Sequence, residues 1–172
     1  ITSPDFRLSN YSEYPVAFAT EPNGNIFTFP IALEYMLLYY NKELFDAKGV
    51  AYPQTLEDIY TAAKALNQPD KNVAGYVSRG LKNANAVVWG NYILGQNIEA
   101  IDASGKLLTD TPEAIWAADL YARLNRDTAP PGTIGFNWNE CQTTFAQGRA
   151  AMWCDVASFG VPLQDPTKSR VV

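Results

Sequence analysis

Histidine is absent from the 172 residues. That absence removes the commonest transition-metal ligand, the usual general base, and every Ser-His-Asp or Cys-His nucleophile arrangement. Basic residues are also few, 13 against 18 acidic ones, for a formal net charge of -5, and they form no run. Nucleic acid and anionic membrane surfaces are therefore poor partners. Cysteine occurs twice, too rarely for a disulfide scaffold, and a chain of this length can hold a core by packing alone. No apolar run approaches a membrane span, and the opening residues lack the basic start and apolar stretch of a signal peptide, so the sequence as given reads as a soluble chain. It begins without Met and ends on Val171-Val172, which suggests a mature or excised fragment.

What is present is an ordinary globular balance, 47% hydrophobic and 18% charged residues, arranged as alternating helices and strands. Residues 1–25 read as irregular, ending in the turn signal Glu21-Pro22-Asn23-Gly24-Asn25. Ile26 to Phe29 reads as a short strand, and Met36 to Tyr40 as an apolar strand buried on both faces. Lys42 to Ala47 is a short helix closed by Gly49. Thr55 caps a helix whose Leu56, Ile59, Tyr60, Ala63 and Leu66 recur at helical spacing. Further helices are expected over 85–94, from Thr111-Pro112-Glu113 through about Leu124, and over 141–147, opened by Asn139-Glu140. Strands are expected over 74–78 and 150–154. The alternation predicts an α/β fold in which 37–40, 74–78 and 150–154 share a central sheet flanked by helices.

Polar residues placed where strands end are the best candidates for a site. Arg79 follows Ser78 and Asp155 follows Cys154, while Glu34 lies between the first two strands. A guanidinium fork and carboxylates beyond strand ends can each bind neighbouring hydroxyls, the alternative being surface salt bridges. The small neighbours Ser78 and Gly80 would let a ligand approach the backbone at Arg79. Trp116 and Trp153 read as core, whereas Trp89 and Trp138 stand beside asparagines and could stack on a polyhydroxylated ligand. Glu140 reads either as a helix-cap acid or, with Asp155, as the carboxylate pair of a retaining glycosidase. Cys141 and Cys154 could form a disulfide or remain two buried thiols.

Several segments taken in order resemble a family. Gly24 to Pro30 with Glu34 and Leu38 to Phe45, then Tyr52-Pro53-Gln54-Thr55-Leu56-Glu57-Asp58, Gly75 to Gly80, Ala129 to Gly132 and Phe145 to Trp153 are each similar to segments of extracellular solute-binding proteins of sugar and polyol ABC importers. Cys154 to Phe159, with Asp165-Pro166 and Ser169-Arg170-Val171, is most like the branch that binds sugar alcohols and monosaccharides. The resemblance covers residue 24 to the end and implies two α/β lobes with a ligand in the cleft between them. On that pattern residues 1–35 are the remnant of the first lobe with a crossing segment, and 36–172 are the second lobe, incomplete at its C-terminus. It further implies a periplasmic or extracellular protein that works with membrane permease subunits, uses no cofactor and does no covalent chemistry. Position by position, it implies that Glu34, Arg79 and Asp155 hydrogen-bond ligand hydroxyls, with Asn137 and Trp138 beside them. Asp155→Ala is then expected to weaken binding and spare the unliganded stability. A glycoside hydrolase fragment using Glu140 and Asp155, and an interaction domain cut at arbitrary ends, are the competing readings.

Overall fold

The computed structural model describes residues 7–29 and 31–171, and the chain divides into two compact units between Tyr35 and Met36. The smaller unit is not irregular throughout. A 3-10 turn at Leu8–Asn10 precedes helix α1, Glu13–Ala19, whose first turn carries Glu13 beside the positive end of the helix. After α1 the Glu21–Asn25 turn closes on two backbone hydrogen bonds, and Ile26 forms a single antiparallel bridge to Thr20. The strand expected at 26–29 therefore reduces to one bridge, because Thr20, at the end of a helix, offers it only a point of pairing. Pro30, with which that expectation ended, lies outside the described residues.

The larger unit is built on strand β1, Met36–Tyr40, and strand β2, Met152–Val156, paired antiparallel with Leu37 opposite Asp155 and Tyr39 opposite Trp153. On the other side of β2, Ala74 and Val77 make isolated parallel bridges to Ala150 and Trp153. The three segments expected in one sheet thus lie side by side, with 152–156 in the middle, but 74–78 is not a continuous strand. Gly75 donates its N–H to Asn67 Oδ1 and Tyr76 donates to the Thr128 carbonyl, so two consecutive amides turn away from β2. Backbone contact decides this position: a Cβ on Gly75 would fall 1.8 Å from the Ala63 carbonyl oxygen.

Helices cover both faces, as the period of two along β2 requires. Met152 and Cys154 point into a core formed with α3 (Leu56–Leu66), α4 (Ala86–Leu94) and α5 (Pro112–Asp127), among them Ala63, Leu66, Tyr92, Leu120 and Leu124. Trp153 points the other way, into a second cluster with Cys141 and Phe145 of α6 (Trp138–Ala146) and Leu163 of α7 (Gly160–Leu163). Helix α2, Lys42–Lys48, ends as expected at Gly49 in the left-handed conformation. Strand β1 is only half-buried, so the expectation of burial on both faces fails there.

The helix starts explain themselves chemically. Thr55 accepts from Asp58 N while Asp58 Oδ2 accepts from Thr55 N at 2.9 Å, a reciprocal cap on α3. Thr111 accepts from Ala114 N, with Pro112 in the first turn of α5. Helix α6 begins earlier than expected: Asn137, not Asn139, is its cap, and Glu140 closes the box by accepting from Asn137 N at 2.8 Å.

Candidate functional site

Arg79 and Asp155, 76 residues apart in sequence, meet at the carboxyl ends of the 74–78 segment and β2. Arg79 Nε donates to Asp155 Oδ2 at 2.9 Å and Nη2 donates to Oδ1 at 2.5 Å, a side-on bidentate pair. Asp155 is a residue of β2 rather than one beyond it, because the ladder with β1 continues to Val156. Its side chain is fully buried, whereas that of Arg79 keeps 13% exposure. A third donor, Val156 N, reaches Asp155 Oδ1 at 2.8 Å. The carboxylate so close to its guanidinium raises the Arg79 pKa further above its ordinary value.

The backbone around Arg79 is tied on several sides. Tyr121 of α5 donates its hydroxyl to the Arg79 carbonyl at 2.8 Å, and the amides of Gly80 and Leu81 both donate to the Phe136 carbonyl. Gly80 is small for packing rather than for ligand approach, since a Cβ there would lie 2.1 Å from the Thr133 carbonyl oxygen. Ser78 is fully buried and bonds Asn125, so it too leaves no opening to a ligand. The room expected beside Arg79 is filled by the 133–134 backbone.

A series of aromatic rings runs alongside this pair. Trp138 stacks on Phe159 at 5.3 Å and 16°, Phe159 on Trp153 at 5.4 Å and 17°, and Trp153 on Tyr39 at 5.2 Å and 28°. The Arg79 guanidinium carbon lies 6.0 Å from the centre of the Phe159 ring. Tyr39 also donates its hydroxyl to the Val156 and Ala157 carbonyls, which pins the turn carrying Phe159. The series passes from the buried Trp153 to Trp138, which is 42% exposed and backed by three further rings.

The other residues singled out from sequence are distributed differently. Asn137 is engaged in the α6 cap, its Oδ1 accepting from Trp138 N at 2.8 Å. Trp89, partly buried, packs against the core of α3, α4 and α5; among the described residues its buried indole Nε1 makes no hydrogen bond. Glu34 is exposed in the smaller unit. Glu140 serves the cap, and Asp155 is held by Arg79 and a backbone amide, so both carboxylates of the glycosidase alternative have structural work. Phe159 and Tyr121 were not marked by sequence reasoning, although the pattern of an aromatic following a strand and turn, at Phe159, was there to be read. Asp155 is fully buried, with both its carboxylate oxygens engaged by Arg79 and one also by Val156 N.

Cys141 and Cys154 are free thiols on opposite faces of the sheet, which excludes the disulfide. Burial pushes each thiol up to about 12, Asp155 adding to the effect. Among the described residues no group of His, Cys, Asp or Glu is arranged to hold a metal ion, and no helix is long and apolar enough to cross a membrane.

The larger unit thus pairs a guanidinium with a buried carboxylate at its strand ends and carries an exposed indole at the start of α6. The family model for bacterial extracellular solute-binding proteins matches residues 2–168, and the chain belongs to that family. The mannitol-binding protein of Pseudomonas aeruginosa is 28% identical over 157 residues, 86% of this chain and 35% of that protein. The sn-glycerol-3-phosphate-binding periplasmic protein of Brucella abortus is likewise 28% identical, over 156 residues, 86% of this chain and 35% of the relative. The ABC transporter solute-binding protein of Agrobacterium radiobacter K84, solved in complex with ribitol, superposes with a TM-score of 0.81 at 33% identity, over 90% of this chain and 39% of that one. The fold is thus that of the periplasmic binding proteins, and these relatives are binding proteins rather than enzymes. This chain spans about a third of the length of the curated relatives it matches.

Proposed function

We propose that the chain is the second lobe of the carbohydrate-binding component of an ABC import system, taking a sugar or sugar alcohol outside the cytoplasmic membrane and delivering it to permease subunits. The observation that carries this reading is the Arg79–Asp155 pair at the strand ends, linked through the Phe159 ring to the half-exposed Trp138. Arg79 has five N–H donors, of which Asp155 takes two, so an edge of the guanidinium remains for vicinal hydroxyls. An exposed indole offers the C–H face of a sugar or polyol a flat apolar partner. Asp155 orients Arg79, and Asn137 orients Trp138 through the helix cap. Glu34 belongs to the reading through the family pattern alone, with residues 1–35 as the remnant of the first lobe and 36–172 as the second. Trp89 is better placed to support the core than to touch ligand. Binding without covalent chemistry accords with Asp155 and Glu140 being already engaged.

Calorimetry on the full-length protein against a panel of sugars and polyols tests the proposal. Saturable binding of at least one of them is expected, lost or greatly weakened in Arg79→Ala. A panel without any binder, or release of reducing sugar from a glycoside substrate, would overturn it.

A further inference from the structure

Two relatives of equal identity carry the names of a neutral and an anionic ligand, mannitol and sn-glycerol 3-phosphate, so overall resemblance does not decide the charge of the ligand. The arrangement around Arg79 does bear on it. We propose that this lobe selects an uncharged polyhydroxylated ligand and rejects its phosphorylated counterpart, because Arg79 reaches the binding face already neutralised by Asp155. The inference rests on the carbohydrate-binding reading above and names the ligand class within it.

An anion is drawn into a site by positive charge that nothing nearby cancels, or by the free amides of a helix start. Among the described residues, neither is on offer at Arg79 itself or at the start of α6. The Asp155 carboxylate is fully buried, 2.5 and 2.9 Å from the guanidinium nitrogens, so no water screens its field from a ligand seated on the outer edge of Arg79. The start of α6, which carries Trp138, is closed by its own residues: Asn137 and Glu140 take up the cap, and Glu140 places a second negative charge there. A phosphate monoester brings close to two negative charges of its own. A hydroxyl needs only donors, and the outer edge of Arg79 still has three N–H groups beyond the two that Asp155 holds. Asp155 is in this sense a specificity residue that acts through Arg79, without touching the ligand.

Calorimetry of the full-length protein with D-mannitol, ribitol, mannitol 1-phosphate and sn-glycerol 3-phosphate tests the selection. The expected result is a neutral polyol bound at least about 100-fold more tightly than either phosphate. Asp155→Asn keeps the shape and one acceptor for Arg79 while removing the charge, and is expected to narrow that gap about tenfold. The parent's ratio decides the matter by itself if Asp155→Asn does not fold. Phosphate binding as tight as polyol binding overturns the selection and leaves carbohydrate binding standing, and binding of none of the four overturns both. An unchanged gap in a folded Asp155→Asn protein removes Asp155 from the role and overturns the inference.

Discussion

Arg79 and Arg123 each make a bidentate ion pair with a carboxylate distant in sequence, and they differ in what is left over. Arg123 of α5 donates from Nη1 and Nη2 to Glu57 at 2.8 and 3.0 Å and from Nε to Asp119 at 2.6 Å, with its guanidinium 4.5 Å from the Tyr60 ring centre. All three nitrogens are engaged by two carboxylates at the surface, one from α3 and one from α5, so the group clamps two helices and keeps one N–H on each of two separate nitrogens rather than a free edge. Arg79 has a single carboxylate partner, fully buried, and keeps the Nη1 edge free of it. An ion pair by itself therefore distinguishes neither function nor structure. The number of partners and the burial of the acid do.

The largest expected effect breaks the buried side of this comparison. Asp155→Ala strands the Arg79 charge against the sheet and is expected to cost about 3 to 5 kcal/mol of unfolding free energy, read by urea denaturation of the full-length protein. A loss below about 1 kcal/mol would make the two arginine centres equivalent. This departs from the sequence-based expectation that Asp155→Ala spares the unliganded stability, and the reason is burial, which the sequence does not report.

Next in size is the effect of geometry at Arg79. A lysine ammonium cannot reproduce the fork that spans Asp155 and still presents an outer edge. Arg79→Lys is expected to lose most of the affinity that Arg79→Ala loses, about 1.5 to 3 kcal/mol, whereas Arg123→Lys leaves affinity at the parental value. Titration of the three variants with the preferred polyol checks both statements, and parental binding by Arg79→Lys would remove the residue from the site.

Smaller changes are expected at the exposed centre. Asp119→Ala should cost about 0 to 1 kcal/mol and lose even that at high salt, because Asp119 and Glu57 are solvated and screened. The smallest effect is a pH dependence. Arg123 holds the Glu57 carboxyl below its ordinary pKa. Its stabilising contribution is accordingly present above the unfolded value of about 4.3 and is lost as pH falls from there through the lowered folded value. Glu57→Gln should flatten the acid limb of the stability profile slightly, read by urea denaturation across that pH range.

Local chemistry was legible in the sequence. The caps at Thr55 and Thr111 and the glycine at 49 need only their own neighbours, and those helices stand where the pattern put them. Features that depend on distant partners were read less well. The 74–78 segment has strand composition, yet its amides are claimed by Asn67 and Thr128. The first residue of α6 moved forward because Asn137, two positions before Asn139, is the one three residues from Glu140. Arg79 and Asp155 were each recognisable as polar residues near strand ends, but nothing local says that they bind each other. Helix α1 was missed although Ser12-Glu13 is a start signal, since Pro15 and the surrounding Ser, Asn and Tyr read as loop.

The ring series has an optical consequence. Trp153 is sealed at its centre while Trp138, at its end, is 42% exposed, and Phe159 stands between them. A collisional quencher such as acrylamide reaches the outer indole and not the inner one, so the emission divides into an accessible and a protected fraction. Anything that covers Trp138 would shift emission from the first fraction to the second, on top of the fixed contributions of the partly buried Trp89 and Trp116, so native fluorescence reports cover of the outer indole with no dye attached.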